Sequence, residues 1–145
     1  SVETWDSQVA ANVFGTEVAG IVDGADTSSP DGKNEVLFGE ISSPGAIAVT
    51  IVWGIFYGSP SQRKLVEWDM VFDQTDFDWS AEAAGVIGKM DFHNIAVHEV
   101  GHAAGMGHPE SSCTEETMYA YANYAETKKR DLNNGDTAGI KALYK

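Results

Sequence analysis

Cysteine is almost absent from this chain: Cys113 stands alone, so an intrachain disulfide is impossible and oxidative cross-linking says nothing about the compartment. Basic residues are scarce too. Nine Lys and Arg face 22 Asp and Glu, a formal charge of −13, and a chain this acidic repels a phosphate backbone and an anionic lipid surface alike. Nucleic acid is thereby excluded as the expected partner. The longest uncharged apolar stretch, residues 46–58, is too short to span a bilayer and is rich in β-branched and aromatic residues, so no membrane span is expected. There is no internal repeat, low-complexity tract or linker. The chain starts at Ser1 with neither an initiator methionine nor an apolar leader, which suits a processed or shortened form.

What is present suits one domain. A chain of 145 residues, 43% hydrophobic and 21% charged, lies within the ordinary globular range. At that size, roughly 68–70% of the unfolded surface is buried on folding. The acidic residues are spread along the chain, as in a protein of salty or extracellular surroundings. The one basic run, Lys128-Lys129-Arg130, reads as a solvated turn.

Val2, Trp5, Val9 and Val13 recur at helical spacing and predict a first helix over residues 2–14, stopped by Gly15. Residues 16–22 and 34–41 read as strands. The polar stretch between them, residues 23–32, is a loop by its turn chemistry. Its Asp23, Asp26 and Asp31 could offer oxygen ligands to calcium, or serve only as turn residues. Two longer β segments, 47–57 and 64–72, flank Gly58-Ser59-Pro60 and predict a hairpin-like pair, with residues 74–88 irregular. Asp91 is placed to cap a helix that starts at Phe92 and breaks at Gly105. A last short helix begins near Asp136, with Ile140, Leu143 and Tyr144 toward the core.

All four histidines lie between positions 93 and 108. One turn of α-helix separates His98 from His102, about 40° around the axis, so both imidazoles can reach one ion. Gly105 lets the chain turn sharply and deliver His108 as a third ligand. Three imidazoles describe a zinc site with its fourth position open to water, and an open position implies catalysis. Glu99, beside the ligands, would take the proton of zinc-bound water during attack on a carbonyl and pass it to the leaving amine. His93 lies about 140° from that face and is expected at the surface or behind the ligands. Cys113 could close the metal as a fourth ligand, or remain a free thiol.

The run His98-Glu99-x-x-His102-x-x-Gly105-x-x-His108 resembles the zinc signature of the metzincin metallopeptidases. Thr117-Met118-Tyr119, the segment Glu67–Phe72 and the closing Asp136–Tyr144 are similar to the matrixin branch, whose turn methionine lies under the metal. The resemblance implies an α+β fold: a twisted mixed sheet, two long helices and a small C-terminal subdomain, with residues 1–107 above and 108–145 below. It further implies a monomeric, secreted zinc endopeptidase acting on protein or peptide substrates, with the cleft covered at times by a propeptide or inhibitor. Zinc would be held by His98, His102 and His108, with Glu99 catalytic. An extended peptide would pair with the edge strand around residues 47–53, and residues 119–124 would wall the pocket for the residue after the scissile bond. In astacin-like and serralysin-like relatives a tyrosine at the place of Tyr121 can reach the zinc; here it could do that or pack. The rival is a non-catalytic zinc-stabilised binding domain closed by Cys113 or Tyr121.

Overall fold

A computed structural model describes residues 1–16, 20–21 and 24–145. The described elements are α1 (Val2–Asp6), β1 (Glu35–Gly39), β2 (Ala48–Ile55), β3 (Lys64–Asp73), β4 (Trp79–Ser80), β5 (Met90–Asp91), α2 (Phe92–Ala103) and α3 (Asn134–Leu143). Single 3-10 turns stand at Pro60–Gln62 and Lys128–Arg130. The fold is α+β, with a mixed sheet ordered β1-β3-β2, in which β1 runs parallel and β2 antiparallel to the central β3.

The alternation of β3 buries Glu67, Asp69 and then the continuous run Met70 to Asp73, as suits the middle of a sheet covered by a helix. The expected hairpin is β2 with β3, and its register slips between Trp53 and Gly54. Gly54 is required there, since a Cβ would stand 2.4 Å from the Lys64 carbonyl oxygen. The 74–88 stretch is irregular apart from β4, which pairs in parallel with β5. Phe38, Phe72, Trp79 and Phe92 meet in one aromatic cluster with ring centroids 4.9–6.3 Å apart.

The first helix is shorter than its periodicity predicts, ending at Asp6 instead of near residue 14. Asp6 Oδ1 accepts the Val13 N–H at 3.0 Å and Asn12 Oδ1 accepts the Gly15 N–H at 2.7 Å, so short polar side chains offer the backbone a better partner than another helical turn. Val9, Val13 and Phe14 still pack on the core from irregular backbone. Trp5 is fully buried and donates its indole N–H to the Val97 carbonyl at 2.7 Å, which ties α1 to α2. Of the strand expected over 16–22, residues 17–19 and 22 lie outside the described residues, as does Asp23. Asp26 spends its carboxylate on Ser28, and Asp31 pairs with Lys33.

The solvated turn expected at Lys128-Lys129-Arg130 is corrected by the structure. Lys129 is 1% exposed, and Arg130 forks onto Asp91 while donating to the Ala83 and Glu82 carbonyls at 2.7 Å each. The backbone of this turn docks on α2, where Asn94 Oδ1 accepts the Lys129 N–H at 2.7 Å. Long-range acceptors in the fold, invisible to local charge patterning, draw Lys129 and Arg130 in, while Lys128 stays at the surface on Thr114 O and Glu115. No helix among the described residues is long and apolar enough to cross a membrane.

Candidate metal centre and cleft

Helix α2 opens where Asp91 Oδ1 accepts the Asn94 N–H at 2.7 Å. It closes at Ala104, and Gly105 takes φ +88°, the left-handed turn that sends the chain back toward the metal side. Gly101, inside the histidine motif, sits where a Cβ would meet the Met118 sulfur at 2.2 Å and the Trp5 ring at 2.6 Å. The helix therefore seats directly on the methionine turn. That turn is held from below by Asp136 at the start of α3: its carboxylate accepts the N–H groups of Thr117 (2.7 Å), Met118 (3.0 Å) and Asn133 (2.9 Å). Gly135 leaves room for the Glu116 carboxylate, which accepts the Asp136 N–H at 3.0 Å; a Cβ would stand 2.7 Å from that group.

His98, His102 and His108 converge. Their Nε2 atoms stand 3.1, 3.1 and 3.3 Å apart. Two backbone carbonyls fix the ring orientations: His98 Nδ1 donates to Thr117 O at 2.7 Å and His102 Nδ1 to Met106 O at 2.8 Å. Protonation at Nδ1 leaves each of these Nε2 atoms with a lone pair facing its neighbours. Three nitrogens at ordinary Zn–N length and tetrahedral angles stand about 3.3 Å from one another, so the trio fits zinc. Burial pushes His98 down to about 3 and lowers His102 and His108 as well, which keeps the rings neutral, the form that binds a metal. Among the described residues, these three are the only His, Cys, Asp and Glu side chains that gather this way. Cys113 is exposed and outside the group, and Tyr121 is 69% exposed beside the cleft. His93 is at the surface, as expected.

Glu99 is 4% exposed, and burial raises its carboxyl to about 7 against the opposing pull of one hydrogen bond. That bond comes from Thr50 on β2, whose hydroxyl donates to Glu99 Oε2 at 2.6 Å. Sequence reasoning missed Thr50, although it is the one hydroxyl in the otherwise apolar stretch 46–53. It missed Lys129 as well, whose side chain donates to Thr117 O at 3.2 Å and Tyr119 O at 2.5 Å.

These groups border a cleft of about 660 Å³. One side is β2, an outer strand of the described sheet, from Ala48 to Val52; the other is the segment Tyr119 to Ala122 with Lys129 beneath.

A helix carrying two histidines one turn apart, a third returned by a glycine turn, a methionine seated beneath and a strand along the cleft define the metzincin class. The family model described as Matrixin matches residues 58–145, and the chain belongs to that family. Similar proteins include Metalloendoproteinase 2-MMP of Arabidopsis thaliana, 42% identical over 59 residues, 41% of this chain and 15% of that protein. Metalloendoproteinase 4-MMP of the same plant is 38% identical over 69 residues, covering 48% and 18%. Matrilysin of Rattus norvegicus is 34% identical over 76 residues, covering 52% and 26%. The match thus spans about a quarter or less of these relatives.

Proposed function

We propose that this chain is a zinc-dependent endopeptidase that hydrolyses peptide bonds in extended protein or peptide substrates. The observation that carries the reading is the convergence of three imidazole Nε2 atoms within 3.1–3.3 Å, beside a buried carboxylate and inside a cleft edged by a β-strand. His98, His102 and His108 would hold the ion. Zinc bound there supplies Lewis acidity and brings the pKa of water down to about 7.

The chain's own residues do the rest. Glu99 takes a proton from the attacking water at one carboxylate oxygen and returns it to the leaving amine. Thr50 holds Oε2 and so presents the other oxygen to the water. The free edge of β2 pairs with the extended substrate, and residues 119–122 wall a side-chain pocket. In this reading the cleft lies between an upper part, residues 1–107, and a lower part, 108–145. An extracytoplasmic location and a monomeric state belong to the same proposal, as does cover from a propeptide or inhibitor, since an uncharged strand edge left bare invites aggregation.

The test is Glu99→Ala. Proton transfer accounts for about 10²–10⁴ in rate, so cleavage of a casein or fluorogenic peptide should fall by that factor while zinc content and the unfolding midpoint hold. Undiminished proteolysis would refute the assignment. Small acyl-amides assayed alongside separate peptide hydrolysis from deacylation.

A further inference from the structure

Among the described residues Lys129 is one of the largest fully buried side chains; its Nζ helps hold the methionine turn through two carbonyls, but its charge meets no carboxylate there and has no part in the proposed reaction. An ammonium has three N–H donors. Two acceptors meet it, the carbonyls of Thr117 and Tyr119, and the face of the Tyr119 ring lies 5.3 Å from Nζ. Among the described residues no carboxylate comes within ion-pair distance; Glu126, Asp136 and Glu115 act on it only from farther away. A cation taken out of water without a counter-ion is costly, and a carboxylate delivered to it gains a charge-assisted hydrogen bond. Lys129 also borders the same cleft as His98 and Glu99. Besides Glu99, it is the only Lys, Arg, Asp or Glu among the residues lining that cleft, and the wall above it, Tyr119 to Ala122, is uncharged.

We propose that Lys129 is a specificity-determining residue: it receives the carboxylate of an Asp or Glu side chain at the substrate position following the scissile bond. The inference rests on the endopeptidase reading, and it runs against the overall field of the molecule. With a formal charge of −13, the protein repels acidic peptides at long range, so the selection is local to the pocket. Added salt screens the long-range repulsion far more than a buried pair. Discrimination therefore holds or sharpens as ionic strength rises.

Three fluorogenic peptides that differ only in that residue, Glu, Gln or Leu, are assayed with the zinc-loaded full chain. The Glu peptide should exceed the Gln peptide in kcat/KM by about tenfold, the difference between a charge-assisted and a neutral hydrogen bond. In Lys129→Met the Glu-to-Gln ratio should fall to near one; because the ratio is taken within each variant, a general loss of activity cancels. A wild-type ratio near one, or an unchanged ratio in folded Lys129→Met, overturns the proposal. Should Lys129→Met fail to fold, the wild-type ratio at low and high salt decides alone. Calorimetric titration of zinc-loaded Glu99→Ala with the same peptides reads the preference without turnover. If no peptide is cleaved, the endopeptidase reading falls, while that titration still decides the role of Lys129.

Discussion

The histidine-bearing helix and the wall beneath it are built by different physics. In α2 the functional side chains are placed by local rules: an aspartate cap, a one-turn spacing between His98 and His102, and a glycine that reverses the chain. In residues 114–136 the backbone is largely irregular, and it is held by bonds between groups distant in sequence. Asp136 grips the N–H groups of Thr117 and Met118, Lys129 the carbonyls on either side of Met118, and Asn94 the Lys129 N–H. The first region presents the candidate ligand imidazoles, and the second fixes the orientation of one of them, because Thr117 O accepts from His98 Nδ1. The candidate metal site is thus half periodicity and half long-range polar clamp.

The sharpest way to break that division, after Glu99→Ala, is to cut the clamp and leave the helix intact. Asp136→Ala strips an acceptor from three backbone N–H groups around a site that is 2% exposed. Stability should fall by about 3–5 kcal/mol in urea unfolding, with zinc affinity weakened although no ligand has changed. A loss under about 1 kcal/mol would mean that the turn holds itself.

Acid separates the two regions next. In the metal-free protein His98, held at about 3, takes up its proton later than the unfolded chain does at 6.5, so the unfolded state binds more protons and stability falls as pH drops below 6.5. His102 and His108 act in the same direction. Glu99 opposes them: its folded value of about 7 lies above the unfolded 4.5, so its contribution is lost as pH rises through that window. The unfolding midpoint of chelator-treated protein should therefore decline from pH 6.5 to 5, and more steeply in Glu99→Gln. A profile that is flat or rises on acidification would mean that the histidines are not buried as described.

The smallest effect is expected at the junction of strand and helix. Thr50→Val removes the hydroxyl from Glu99 Oε2, and kcat should drop by about tenfold with KM little changed, restored in Thr50→Ser. Equal losses in kcat and KM, or no rescue by serine, would show Thr50 to be packing alone.

How much of this was legible in the sequence follows the same division. The clustering of His98, His102 and His108, the Asp91 cap, the Gly105 turn, the hairpin of β2 with β3 and the terminal helix all announce themselves within a few residues of one another. The end of α1 did not, since it depends on whether Asp6 prefers the Val13 N–H to solvent. Thr50 and Glu99 are 49 positions apart, and Lys129 lies 35 from Asn94. No local pattern marks such pairs, and a run of three cations reads as surface until the fold supplies its acceptors.

X-ray absorption at the zinc edge on the metal-loaded protein reads the donor set around the ion itself. Three nitrogen scatterers at about 2.0–2.1 Å and one light oxygen-type scatterer are expected, with the nitrogen count falling to two in His108→Ala. A sulfur scatterer at about 2.3 Å, or a nitrogen count indifferent to His108, would contradict the three-histidine site.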